Sequence, residues 1–406
     1  MYLKFAWRYF KAKKTANAIN IIAWVTTGVI AFATCCQVLV LSVFNGFEDL
    51  VKSLYSSFYT DLKITPAKGK TFVLTQSQIQ QIKQQPAIQA ISMIAEDKAL
   101  LKNGDAQTVV QLKGVDSNFK KVSGVPAKIV SGNFNTGTLD NPTIIAGSGI
   151  QNAAAINTNP AYATDTLTII LPKKSLTTSD PFSSLSEGNV TAAGVFSIQQ
   201  DFDNNYALTN IDFIKNQMGF GADEYSAAEI KLKEGSNIED EKKALQKLLP
   251  ANYLVQSRYE QNMNLYSTMR MEKWAIYAVL TLILIISAFN IVSALTMLVL
   301  EKNKDISILQ SMGSSKTVIQ KIFLSEGLLL GSIGAGCGIS LAVLICLAQI
   351  KYKFIKLQGG SFLIDYFPVK FVPTDFILVG VTAIVIAFIA SWFPAYRASR
   401  QPIELR

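Results

Sequence analysis

Four stretches of the chain carry no charged residue: between Lys14 and Glu48, Lys273 and Glu301, Glu326 and Lys351, and Asp375 and Arg397. Each is long enough for one helix across a hydrocarbon core, which takes roughly 20 apolar residues. The pattern predicts membrane spans over 18–47, 273–300, 318–350 and 375–396. Basic residues precede the first of these, as they would in a secretory signal peptide. Its apolar run is too long for the core of such a peptide, and no small-residue cleavage site follows, so the span is expected to be retained. It continues into Leu41-Ser42-Val43-Phe44-Asn45-Gly46-Phe47-Glu48, which reads as a helix running on beyond the bilayer.

Between the first two spans the period changes. Residues 61–66 alternate as a strand, and 76–85 read as a polar helix with Thr75 as its N-cap. Strands at 88–101 and 106–114 are joined by Asn103-Gly104-Asp105, a tight hairpin signal. Near the end of the block come a strand at 227–232, a helix at 237–249 and a strand at 253–256. The outer parts, 60–116 and 226–257, are expected to form one subdomain, with 117–225 inserted between them. The inserted part is richer in Gly, Asn, Ser and Thr and has strands at 143–146, 166–171 and 190–196. A polar loop at 172–188 separates the last two; loops of this length are often functional. Residues 258–271 read as a helix running straight into the second span. The fold class is therefore membrane α-helical, four transmembrane helices with a large α+β extracytoplasmic domain (48–272) inserted between spans 1 and 2.

Composition agrees, and charge placement adds an orientation. Only 17% of the 406 residues are charged and half are hydrophobic. A soluble domain is nearer a quarter charged. Lys4, Arg8, Lys11, Lys13 and Lys14 open the chain without an acid, and Arg397, Arg400 and Arg406 close it against Glu404. Basic residues beside spans stay on the cytoplasmic side. Both termini and the 301–316 segment are thus expected in the cytoplasm, and 48–272 and 351–374 outside, in a multi-pass protein of a bacterial inner membrane. The 351–374 loop, with Lys351, Lys353, Lys356 and Lys370, is a local exception. Residues 1–17, aromatic and basic, suit a helix lying in the membrane interface. The net charge of +9 sits beside membrane, which argues against nucleic acid as a partner. All four cysteines fall within spans and histidine is absent, which removes the usual zinc sites and every His-dependent triad.

Two segments carry helix-packing information. The third span holds Gly327, Gly331, Gly334 and Gly338 at small-xxx-small spacing, suited to internal packing or to a dimer contact. Between spans 2 and 3, Ile306, Leu309 and Gly313 fall at i, i+3 and i+7, and Ile308 and Met312 widen the apolar stripe. Gly313 is a natural stop. A short helix with such a stripe buries it in the lipid interface or in a groove on a soluble partner.

The run Glu301-Lys302-x-Lys304-Asp305-Ile306-x-Ile308-Leu309-Gln310-Ser311-Met312-Gly313-Ser314 resembles the coupling-helix motif of FtsX/MacB-type ABC permeases. The tail from Pro394 to Arg406 is similar to that superfamily's closing signature, though it lacks the alanine often found between glutamate and leucine. Leu41-Ser42-Val43-x-Asn45-Gly46-Phe47-Glu48, Met269-Arg270-Met271-Glu272-Lys273 and Phe289-Asn290-Ile291-Val292-Ser293-Ala294-Leu295 resemble the LolC/LolE family of lipoprotein-releasing permeases. The resemblance implies a homo- or heterodimeric permease, non-catalytic, served by two copies of a separate ATPase that binds ATP and Mg. No Gly-x-x-x-x-Gly-Lys-Ser/Thr loop is present in this chain, and no cofactor or metal is expected in it. Glu301, Lys302, Asp305, Ile306, Leu309, Met312 and Gly313 would couple to that ATPase. Acyl chains of a lipoprotein would sit between spans 1 and 2 of the paired subunits, against Val38, Leu41, Phe44, Phe47, Trp274, Tyr277 and Leu280. A periplasmic carrier would then take the lipoprotein at a loop of the outer domain, by position Pro172, Lys173, Lys174, Pro181 and Phe182, where the sequence matches the family poorly.

Other readings are a MacB-like efflux permease, an FtsX-like permease that transmits movement without moving a substrate, and a membrane-anchored extracytoplasmic enzyme. Without histidine the enzyme is left with Ser/Lys or carboxylate schemes, and no recognisable spacing supports one.

Overall fold

A computed structural model describes residues 17–158, 166–174, 184–357 and 366–401, with side chains from residue 21 onward. Residues 1–16 of the interfacial helix expected over 1–17, and the loop positions Pro181 and Phe182, lie outside the described residues. The chain divides into two units, one built from 1–50, 267–358 and 364–406, the other from 51–266 and 359–363.

Among the described residues of the first unit, four helices are long and apolar enough to cross a membrane. These are α1 (Asn17–Phe58), α4 (Met263–Glu301), α6 (Lys316–Tyr352) and α7 (Pro373–Ser399). They are called spans 1 to 4 below. At 1.5 Å per residue, the 42 residues of α1 reach about 63 Å, twice a hydrocarbon core, so the helix continues past the expected end of the span. Between spans 2 and 3 lies the short α5 (Asn303–Ser311). The expected straight entry into span 2 is broken. A short helix, Arg258–Gln261, opens on a Ser257/Glu260 capping box, and Asn262 interrupts it at φ −133° before α4 begins.

The glycines of span 3 serve internal packing on two faces. A Cβ at Gly331 would lie 2.3 Å from the Ala387 Cβ of span 4, and one at Gly338 would lie 2.4 Å from the Ala31 carbonyl of span 1. Both contacts need a bare backbone. Span 1 itself is sided: Ile30, Ala33, Val38 and Leu41 are buried, whereas Ile21, Trp24, Val25 and Phe32 are exposed.

The second unit is α+β. Its strands are β1 (Leu62–Pro66), β2 (Phe72–Val73), β3 (Ile88–Asn103), β4 (Ala106–Val115), β5 (Ile129–Gly132) and β6 (Thr143–Gly147). Then follow β7 (Thr166–Pro172), β8 (Leu185–Phe196), β9 (Tyr206–Asn210), β10 (Glu224–Tyr225), β11 (Ala227–Leu232) and β12 (Tyr253–Ser257). The helix α2 (Gln76–Lys83) starts at Thr75 with a complete capping box, as its sequence predicts. The β3–β4 hairpin closes with Asn103 opposite Ala106 and Gly104 at φ +55°. Ten strands make one sheet in the order β12-β1-β11-β3-β4-β9-β6-β8-β5, with β7 bridging β3 and β8. Six of them, β3-β4-β9-β6-β8-β7, pair in a closed cycle and so leave no open edge along it. Strand β8 begins at Leu185, so residues 185–188, expected as loop, pair with β7 instead.

Charge lies inside this unit. Lys113 and Glu229 form an ion pair at 2.6 Å, each side chain 2% exposed. The Lys113 ammonium also sits 5.0 Å from the ring of Phe58 and 5.1 Å from that of Phe119. Phe58 is the last residue of α1 and stacks on Phe202 at 4.5 Å. Beside the pair, Lys63 donates to Glu96 at 2.9 Å. Burial alone would raise the Glu96 carboxyl, but Lys63 and Lys113 outweigh it and hold it below its ordinary 4.5. Burial likewise would lower Lys63, but Glu96 and Glu229 outweigh it and raise the ammonium above its ordinary 10.5.

Two outcomes follow. Lys113→Met leaves Glu229 buried without its cation and is expected to destabilise the unit by about 3–5 kcal/mol. Thermal loss of the β-sheet infrared band of the full chain reads this out. Glu96, with a lowered folded value, contributes stability that is complete above pH 4.5 and is lost as pH falls through that folded value. Glu96→Gln should remove this share of the acid sensitivity. An unchanged acid profile in the variant would contradict the assignment.

Candidate functional site

The helix α5 is held by its own sequence. Lys302 and Asp305 pair at 3.1 Å across its first turn. Gly313, at φ +91°, ends it in the left-handed region, where a side chain would be strained. The Gly313 N–H donates to the Gln310 carbonyl and the Ser314 N–H to that of Leu309, which satisfies the last turn.

The apolar stripe read from the sequence is divided by the fold. Ile306 is 2% exposed and joins a buried cluster with Ile319 and Phe323 of span 3 and Leu298 of span 2. Leu309 is half-buried and lines a small hollow with Ile319, Ile322 and Phe323, bordered by Lys302, Asp305 and Glu326. Ile308 and Met312 remain, 60% and 78% exposed. Glu301 closes span 2 and is exposed. Ile306 therefore anchors α5 to its own subunit, and Ile308 with Met312 forms the face available to another molecule.

The residues expected to line an acyl cavity are divided in the same way. Val38 and Leu41 are buried, in one cluster with Cys35, Ala342 and Val379, and Tyr277 packs against it. The Tyr277 hydroxyl meets that of Thr382 on span 4. Phe44, Phe47 and Leu280 are half-buried, and Phe47 meets Phe367 edge-on at 5.7 Å. Trp274 is 59% exposed. Phe32, Val40, Val279 and Leu282, which the sequence did not single out, are exposed on the same two spans. Residue-by-residue apolarity gives no signal for which side of an apolar helix faces out.

In the second unit, Pro172 ends β7 opposite Leu185. The Lys173 N–H donates to the Ser184 carbonyl, the Lys174 N–H to that of Met218, and the Lys174 ammonium pairs with Glu224. These bonds fix the two ends of the 172–188 segment. Among the described residues, no group of three or more Cys, Asp or Glu side chains is placed to hold a metal ion.

A polar junction that the sequence did not announce lies in the first unit, where spans 1, 2 and 4 meet. Asn45 donates to Asp375 at 2.7 Å, and Lys273 donates to Asn45 at 2.9 Å and lies 2.9 Å from Asp375. Asn45 and Asp375 are buried. Next to it, a Cβ on Gly46 would lie 2.3 Å from the Pro368 carbonyl, and the Lys370 N–H donates to the Ser42 carbonyl. The segment before span 4 is thus laid directly on span 1.

Residues 23–248 match the family described as MacB-like periplasmic core domain, and residues 277–403 match the FtsX-like permease C-terminal family. The chain belongs to the family of permeases with a MacB-like periplasmic core domain. Within it the chain is of the LolC/LolE type. It is 25% identical to the lipoprotein-releasing system transmembrane protein LolC of Xylella fastidiosa, over 98% of this chain and 96% of that one. It is 24% identical to LolE of Haemophilus influenzae, over 98% and 97%. It is 26% identical to LolC of Neisseria meningitidis serogroup B, over 98% and 96%. Among solved structures, the periplasmic region of MacB from Actinobacillus actinomycetemcomitans aligns with 54% of this chain and 98% of its own, at 14% identity and a TM-score of 0.38.

Ile306→Asp is expected to lower the amount of folded permease in the membrane, because it places a charge in the α5–span 3 cluster. Ile308→Asp and Met312→Asp should leave that amount unchanged. Quantitative membrane fractionation of the three variants distinguishes them, and equal losses in all three would contradict the division.

Proposed function

We propose that this chain is the permease subunit of an ATP-driven complex that extracts lipoproteins from the outer leaflet of the inner membrane. It passes them to a periplasmic carrier for sorting to the outer membrane. The observation that carries this reading is similarity to LolC and LolE proteins across nearly the whole chain, spans and outer unit together.

In this reading the α+β unit stands in the periplasm between spans 1 and 2, both termini are cytoplasmic, and α5 faces the cytoplasm. The basic flanks at Lys11, Lys13, Lys14, Arg397 and Arg400 support that orientation. A separate ATPase, present in two copies and binding ATP and Mg, docks on Ile308 and Met312. The ion-paired first turn of α5 and the Ile306 anchor give that docking face a rigid seat on spans 2 and 3. A second permease subunit, the same or related, completes the transmembrane unit.

Extraction needs an apolar wall rather than a reactive group, since each buried methylene contributes about 0.8 kcal/mol. The exposed apolar sides of spans 1 and 2, with Phe32, Val40, Trp274, Val279 and Leu282, supply such a wall. Val38 and Leu41 support it from behind. The 172–188 segment, tied at both ends, is the proposed place where the carrier takes the lipoprotein.

Photo-crosslinkers at positions 32, 40, 274 and 279 in cells are expected to capture acylated lipoproteins, and those at 38 and 41 to capture far less. Capture should be lost when the acceptor cysteine of the lipoprotein is mutated. Absence of any lipoprotein adduct at the four exposed positions would contradict the reading and favour efflux or signal transmission.

A further inference from the structure

Spans 1 and 2 of this chain run antiparallel and meet through polar contacts at three levels. At one end Lys273 donates to Asn45 at 2.9 Å, with Asp375 of span 4 joined to both. Further along, the Gln37 side-chain amide donates to the Thr281 hydroxyl at 3.2 Å. Further still, the Thr26 hydroxyl donates to the Asn290 carbonyl at 3.4 Å. As the residue number falls from 45 to 37 to 26 on span 1, its partner's rises from 273 to 281 to 290, so one seam links the three levels. Gln37 is fully buried, Thr26 and Asn45 nearly so. The opposite side of span 1, with Trp24, Phe32 and Val40, is apolar and exposed.

The buried side of span 1 thus carries polar residues beside Ile30, Val38 and Leu41, and this has a consequence for movement. In hydrocarbon a polar group cannot exchange a protein partner for water. Parting spans 1 and 2 would take Thr281 from the Gln37 amide, the Asn290 carbonyl from the Thr26 hydroxyl and Asn45 from the Lys273 ammonium at once. Moving the two spans together breaks none of these three contacts.

We infer that the seam between spans 1 and 2 of this chain stays shut throughout the transport cycle. Asn45, Gln37 and Lys273 are positioning residues that make the two spans one moving body. An acyl chain therefore passes along the exposed apolar flank of the pair and never between the pair's own helices. The statement about acyl chains rests on the lipoprotein-release reading; the closed seam does not.

The test uses inner-membrane vesicles holding the whole complex, with Cys35, Cys36, Cys337 and Cys346 replaced by alanine. Ala33→Cys/Leu284→Cys, at two positions of one buried cluster, then places one cysteine on each side of the seam and leaves its polar contacts in place. The rate of disulfide formation is expected to be the same without nucleotide, with ATP and after vanadate trapping. A fall of about tenfold in any nucleotide state would show that the spans part and would overturn the inference. Ile30→Cys/Ala288→Cys, likewise in one buried cluster, gives the same comparison if the first pair does not insert. In fully oxidised vesicles, ATP-dependent appearance of an acylated lipoprotein in the supernatant is expected to persist. Its loss on oxidation and return with dithiothreitol would also overturn the inference. No release in either redox state, with an unchanged disulfide rate, would sink the release reading and leave the seam standing.

Discussion

A polar group inside a bilayer must find its partner in the protein, and span 1 is organised around that requirement. Thr26, Thr27, Thr34, Gln37, Ser42 and Asn45 lie on its buried side, where a soluble helix would carry its apolar residues. Some of these side chains fix a neighbour, whereas Thr27 donates to the Ala23 carbonyl of its own helix. Gln37 and Asn45 fix span 2, and Asn45 through Asp375 fixes span 4. Span 3 is joined by the other route open in lipid, close approach of bare backbone, with Gly338 against Ala31 and Gly331 against Ala387. The exposed face of span 1 left by this arrangement, with Ile21, Trp24, Val25, Phe32 and Val40, is apolar.

The α+β unit manages its buried polarity differently. Lys113 and Glu229 lie within it at 2% exposure, compensated by each other and by the rings of Phe58 and Phe119. Such a pair adds little net stability, because desolvation offsets the attraction, but losing one member is costly. What the pair adds is position. Phe58 ends the helix that forms span 1, and its ring is held by Lys113, Phe202 and Tyr206 together. Where the chain leaves the unit again, Arg258 pairs with Asp61 at 2.6 Å and its N–H donates to the Asp61 carbonyl. The entering and leaving segments are therefore clasped to one another within the unit.

Much of this was legible in the sequence where the signal is local. The charge-free stretches gave the spans, Thr75 the N-cap of α2, and Asn103-Gly104-Asp105 the β3–β4 hairpin, each from a few adjacent residues. The candidate site was legible as segments and not as surfaces. The α5 stripe was found, but the fold took Ile306 inward and left Ile308 and Met312 out, a choice that depends on where span 3 lies. Val38 and Leu41 read as cavity wall on apolarity alone, and only the packing of Ala342 and Val379 separates them from Phe32 and Val40. The Asn45–Lys273–Asp375 junction joins residues up to 330 positions apart, and its charges read simply as the ends of spans. The closed cycle of strands was equally hidden, since the β4–β9 and β6–β8 pairings are parallel and non-local.

The central claim is that this permease moves lipoproteins out of the inner membrane. Depleting the chain from its native cells, then separating inner from outer membranes and following acylated lipoproteins, tests it most directly. The account predicts that lipoproteins destined for the outer membrane accumulate in the inner membrane and leave it again when the wild-type chain is restored. An unaltered distribution in cells lacking the chain would contradict it.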